Sequence, residues 1–249
     1  DEAIENYHLC TENERCGLET LRTLADLYER KGDCLYACRI TEQALLYNAK
    51  DKDLLARKDK YYWSITPEDL QARLDYARSW FDVNYCLNKS QAVLDAKAWD
   101  LDSLDWAQHL ATLAHMVKPE SLSAKVLLAR ALLRRGEKDQ ALALLERVHS
   151  PRPQKFADDD EDAWYTGSKL LGELYLYDFH KPDLAVECFR AFRESTRSGA
   201  DTLYKLGQAY EQLGDRPRAI KCYQQVAAFS DHPLAPDAQD ALRRLEPPE

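Results

Sequence analysis

Glycine and proline are scarce, at 8 and 10 in 249 residues, which leaves too few turn-formers for many short strands and points to long regular segments, helix first. No stretch approaches the roughly 18 uninterrupted apolar residues of a membrane span, and the N-terminus lacks a basic region followed by an apolar run. Positive charge is in deficit, 34 basic against 43 acidic side chains for a net −9. That balance opposes attraction to phosphate backbones, so neither nucleic acid nor membrane insertion is expected. H-E-x-x-H, G-x-S-x-G, a phosphate loop and a glycine-rich dinucleotide turn are all missing, so the chain is expected to be no enzyme and to use no cofactor.

Seven cysteines is an odd number, with Cys34 and Cys38 one helical turn apart, which fits a reduced, cytoplasmic protein. Cys10, Cys16, Cys34 and Cys38 have neither zinc-ribbon nor finger spacing, and reduced thiols at packing positions are expected instead of a metal site. The six histidines are scattered; His109 and His115, six apart, do not share a helix face. Surface or capping roles are expected of them.

What is present is a period. Alanine recurs at Ala3, Ala37, Ala72, Ala107, Ala141, Ala185 and Ala219, at intervals of 34 or 35 except for one of 44. Four residues on come Tyr7, Thr41, Tyr76, Ala111, Leu145, Phe189 and Tyr223, mostly large, on the same helix face. Upstream lie Leu24-Ala25-x2-Tyr28, Leu128-Ala129-x2-Leu132, Leu171-Gly172-x2-Tyr175 and Leu206-Gly207-x2-Tyr210. Gly32-Asp33, Gly136-Glu137 and Gly214-Asp215 separate the two segments, where glycine supplies the positive φ that ends a helix. Each repeat is thus helix, tight turn, helix, with Pro119 and Pro153 placed to stop the second helix.

These residues resemble the tetratricopeptide repeat (TPR) family, W-x2-LG-x2-Y followed by A-x3-F and then P, most closely over 122–153 and 200–233. The expected fold is an all-α solenoid of helical hairpins, a right-handed superhelix of about seven repeats along a single 1–249 array. Residues 1–17 read as the second half of a truncated repeat, 18–51 as a repeat, 52–87 and 88–121 as irregular repeats, and 122–153 as a repeat. Residues 154–199 form a repeat with an acidic insertion, 200–233 a repeat, and 234–249 a capping helix and tail. The mid-repeat start suggests a domain taken from a longer protein.

Three stretches break the pattern. A ten-residue excess between Val148 and Leu170 contains Asp158-Asp159-Asp160-Glu161-Asp162; it lacks EF-hand spacing and reads as an acidic helix start, with a weakly bound cation or a basic partner as the alternative. In the irregular repeats, Asp59-Lys60 and Leu94-Asp95 replace the Leu-Gly pair. Trp63, Trp80, Trp99 and Trp106 crowd there with Tyr61, Tyr62 and Tyr85, either filling the core or forming a recognition surface.

The resemblance implies a concave groove lined by first helices, whose exposed positions here are Arg22, Asp26, Glu29 and Arg30; Val126, Arg130, Leu133 and Arg134; Lys169, Glu173, Leu176 and Tyr177; and Tyr204, Gln208, Glu211 and Gln212. The Lys-Asn pair with which some family members clamp a C-terminal carboxylate is absent. With Lys205, the basic residues among these suit an extended acidic or amphipathic peptide. The expectation is a protein-interaction scaffold; the alternatives are a substrate-recruiting arm of a larger enzyme and a self-associating module.

Overall fold

The computed structural model describes residues 4–6, 17–156, 160–193 and 199–245. Ala3, Tyr7 and Cys10, the anchors of the proposed half-repeat, lie outside them, as does Cys16. Among the described residues every regular element is helical. They fall into two units, Asp1–Glu120 and Ser121–Glu249. The first contains α1 (Leu18–Arg30), α2 (Cys34–Tyr47), α3 (Lys52–Ser64), α4 (Pro67–Ala72), α5 (Leu74–Ala77), α6 (Val83–Asp95) and α7 (Leu101–Val117). The second contains α8 (Leu122–Arg134), α9 (Lys138–His149), α10 (Asp160–Glu173), α11 (Pro182–Phe192), α12 (Ala200–Gln212), α13 (Arg216–Ala227) and α14 (Ala235–Leu245).

Local chemistry sets the helix ends. Asp33, Asp51, Thr66, Asp82, Asp100, Ser121 and Asp215 each accept a backbone N–H in the first turn that follows, satisfying donors the helix leaves unpaired. At the hairpin turns Gly32, Gly136 and Gly214 take φ of 79°, 80° and 75°. The next residue then donates its N–H to the carbonyl five back, Asp33 to Tyr28, Glu137 to Leu132 and Asp215 to Tyr210, all at 2.9 Å. One turn geometry thus joins α1 to α2, α8 to α9 and α12 to α13.

The hairpins close on small residues. A Cβ on Gly172 would lie 2.8 Å from the Phe189 ring, and one on Gly207 would lie 2.7 Å from that of Tyr223. The large residue that follows the marker alanine therefore seats over the glycine of the partner helix, and helices this close exclude solvent between them. Ala37, Ala107, Ala141, Ala185 and Ala219 are fully buried.

Ala72 departs from the pattern and is exposed. Its helix breaks at Arg73 (φ −129°, ψ 30°), which separates α4 from α5 and re-aims the buried face, so that Leu70 and Ala77 fill the core instead. In α3 the fully buried Tyr61 and Tyr62 occupy the interior, with Ile65 and Leu54, while Asp59 and Lys60 remain toward the surface. Rings of that size leave no seat for the regular small-over-large step, and the second helix of the same repeat is the one that breaks.

The excess in the fifth repeat is also split. Leu171 stands nine residues later than the period allows, and Ala185 is late by one more. That last residue is housed in a π-helical turn, Leu174–Asp178, at the end of α10. His180 (φ 51°) then takes the left-handed position that glycine holds in the other turns.

Candidate partner-binding site

On the first-helix face of the first unit the charged side chains pair from helix to helix. Arg22 reaches Asp51, Arg57 of α3 binds Asp26, and Lys60 and Tyr61 both donate to Glu29. Asp26, Glu29 and Arg30 share a recess of about 510 Å³ with Arg57 and Lys60. The bonds from Lys60 and Tyr61 hold the Glu29 carboxyl below its ordinary pKa. Burial opposes the charge on Arg57, yet its bond to Asp26 prevails and raises its pKa. Asp59 continues the series to α6, accepting from Tyr85 and from Lys89 at 3.2 Å.

The second unit repeats the device. Lys205 of α12 binds Glu173 of α10, Tyr177 donates to Gln208 at 2.7 Å, and Arg244 of α14 lies 3.5 Å from Glu211. Lys169 stands 5.8 Å from the centre of the Phe192 ring. Tyr204 packs on Tyr223 with centroids 5.5 Å apart. Arg130 and Arg134 are half-buried on α8, and Gln212 is exposed. Val126 and Leu176 are corrections: both are buried, Val126 against the Gly167 backbone position, and neither offers surface to a partner.

Arg57 and Lys60 were not among the groove residues read from the sequence, and the pairing of Lys205 with Glu173 was not read either. The signal that finds them is a constant offset, because Asp26–Arg57, Glu29–Lys60, Glu29–Tyr61, Asp59–Lys89, Glu173–Lys205 and Tyr177–Gln208 are separated by 30 to 32 residues. That is one repeat forward and about one helical turn back, the step between neighbouring first helices.

The irregular repeats use their aromatics both ways. Tyr61 and Tyr62 are core, whereas Trp63 and Trp99 are 51% and 42% exposed. Trp63 packs edge-on against Trp106 at 5.2 Å, and His109 completes the cluster, stacked 6.1 Å from Trp106 with Nε2 donating to the Tyr62 carbonyl at 2.9 Å. Below them Lys58, 6% exposed, bridges Glu42 and Asp82 at 2.9 Å each and lies 4.2 Å from the Tyr85 ring centre. Burial acts against its ammonium charge, but bonds to Asp82 and Glu42 win and raise its pKa.

His109 and His149 are half-buried ring-packing residues and not surface groups, and burial lowers the pKa of each. Cys38, Cys86, Cys188 and Cys222 are buried free thiols, Cys34 a half-buried one, and burial pushes all five upward in pKa, which makes poor nucleophiles of them. Asp160 of the acidic stretch accepts the backbone N–H of Leu122 at 3.0 Å and of Ser123 at 3.3 Å, so it caps α8 as well as opening α10. Among the described residues no three His, Cys, Asp or Glu side chains are grouped to hold a metal ion, and no helix is long and apolar enough to cross a membrane.

Two segments, residues 101–155 and 200–232, match family models described as tetratricopeptide repeat. Those two segments are thus matched as tetratricopeptide repeats, a helical-hairpin motif whose arrays serve as protein-interaction scaffolds. The chain is similar to the solved structure of YrrB, described as a TPR protein with an unusual peptide-binding site, at 16% identity and TM-score 0.45 over 95% of this chain and 99% of that one. A tetratricopeptide repeat protein from Parabacteroides merdae gives 14% and 0.44 over 98% and 97%, and MamA gives 17% and 0.42 over 85% and 90%. Comparison with curated proteins found no match.

Proposed function

We propose that the protein is a non-catalytic scaffold that holds an acidic or amphipathic peptide segment of a partner on the first-helix face of its second unit, along α8, α10 and α12. The observation that carries this reading is the basic set Arg130, Arg134 and Lys169, at groove positions of two successive first helices and each partly accessible. Tyr177 and Gln208 extend the set toward α12 with a polar, ordered edge. Charge gives such a face direction, and the side chains around the set supply area for affinity.

The test is replacement of Arg130, Arg134 and Lys169 by Glu together. Partners captured by the wild-type protein, identified by mass spectrometry, are expected to bind the variant at least tenfold more weakly, a loss of about 1.4 kcal/mol or more. An unchanged set of captured proteins at unchanged affinity removes the assignment of this face.

A further inference from the structure

On the side of α10 turned away from Lys169 and Glu173, the second unit contains a cavity of about 480 Å³, within the range of ligand pockets. At 100° per residue, Trp164 and Leu171 stand half a turn from Glu173, so this cavity and the first-helix face do not share a surface. Its wall is aromatic and fixed in place. His149 and Trp164 stack at 5.6 Å with 10° between their planes. Trp164 Nε1–H donates to the His149 carbonyl at 3.1 Å, and His149 Nδ1 meets Ser168 Oγ at 2.8 Å. Tyr175 donates its hydroxyl to Glu146 Oε1 at 2.7 Å.

Two carboxylates belong to the same wall, Glu146 from α9 and Glu187 from α11, both on exposed residues. The segment that follows α9 contributes Arg152, whose guanidinium lies 4.7 Å from the Trp164 ring centre. A flat, weakly hydrated cation over an indole, near carboxylates, is an arrangement that guanidinium satisfies better than ammonium. The chain thus already places one such group there, on a loop, where an incoming one can replace it. A net charge of −9 favours the approach of a basic partner.

We propose that this cavity is a second docking site, which takes an arginine side chain of a basic peptide segment on a partner protein. The guanidinium sits over Trp164 near Glu146 and Glu187, and Arg152 moves out as it enters. The tryptophan-lined space beside the carboxylates accepts the apolar neighbour of that arginine. Nothing in this depends on the basic set on the other side of α10.

The probe is an acetylated, amidated peptide of alternating leucine and arginine, added to the intact protein, with the citrulline counterpart as a neutral isostere. Binding is read from the five tryptophan indole N–H resonances, that of Trp164 being identified with Trp164→Phe. The arginine peptide is expected to shift the Trp164 resonance and the citrulline peptide to bind at least tenfold more weakly. Glu146→Gln with Glu187→Gln, which keeps an acceptor for Tyr175, is expected to weaken binding at least tenfold. Arg152→Ala is expected to strengthen it several-fold, and the triple Glu variant of the first-helix face not to weaken it. The proposal is overturned if citrulline serves as well, if the Gln variant binds normally, or if Arg152→Ala binds more weakly. It is equally overturned if the Trp164 resonance stays in place while others move, which would mean diffuse attraction to an acidic surface. Arginine amide binding as tightly as the peptide would assign the cavity to a small cation and not to a protein partner.

Discussion

At Gly207 an added Cβ meets the Tyr223 ring at 2.7 Å, whereas at Gly214 it meets nothing within 4 Å but must accept φ of 75°. The two glycines are therefore held by different physics, steric contact in one case and backbone conformation in the other. Gly214→Ala is expected to cost about 1–2 kcal/mol whatever its neighbours are. Gly207→Ala is expected to cost about 1–3 kcal/mol through overpacking, and that cost should couple to the ring. In urea unfolding, Tyr223→Leu should be less damaging in the Gly207→Ala background than in the wild type. Additive costs would show that the glycine is not there to seat the ring. Lys58 is a third case, since its removal leaves Glu42 and Asp82 without their shared cation. Lys58→Met is expected to lose about 3–5 kcal/mol. Adding Glu42→Gln should recover part of the loss, because the raised pKa of Glu42 shows that burial already disfavours its charge.

Among elements, α10 shows how far a period can be read. The alanine spacing reveals that ten residues are extra, and the step from Leu171 to Ala185, longer by one than in the other hairpins, assigns one of them to the hairpin turn. That it forms a π turn ending in His180 at φ 51° follows from packing, because α11 must still bring Phe189 over Gly172. His180→Gly is accordingly expected to stabilise the protein by about 0.5–1 kcal/mol, read as a higher urea midpoint at unchanged slope; a lower midpoint would mean that the imidazole makes a contact worth more than the strain. The regular hairpins were legible because each needs a small residue, a large one and a turn glycine at fixed spacing. The α3–α5 region was not, because Tyr61 and Tyr62 replace the small residue and the break at Arg73 exchanges Ala72 for Ala77. The first-helix positions were located by the repeat, but their pairing was not, since Asp26 and Arg57 become neighbours only when adjacent hairpins pack. The offset of about 31 residues generalises that pairing to a step any array of this kind can be searched for.

Across the whole molecule, buried titrating rings limit the pH range in which the array stays folded. His109 and His149 have pKa values lowered from 6.5 by burial. Their neutral forms are the ones the fold favours, so their contribution is complete above pH 6.5 and is lost as pH falls through the lowered values. Tyr61, Tyr62, Tyr85, Tyr175 and Tyr223 are displaced the opposite way, raised from 10.0 chiefly by burial. Their contribution is complete below pH 10.0 and lost as pH climbs toward the raised values. Glu42, also raised, favours the fold most below 4.5 and offsets part of the histidine effect on the acid side. A bare acid titration therefore mixes opposing terms, and the informative quantity is a difference between proteins. His109→Gln keeps a donor for the Tyr62 carbonyl but carries no titrating proton. Relative to this variant, the wild type is expected to lose stability between about pH 7 and pH 5 in urea unfolding, whereas the two curves should run parallel between about pH 7 and pH 9. Parallel curves on the acid side as well would show that His109 charges as readily in the folded array as in the open chain, and that the Trp63–Trp106 cluster does not shield it.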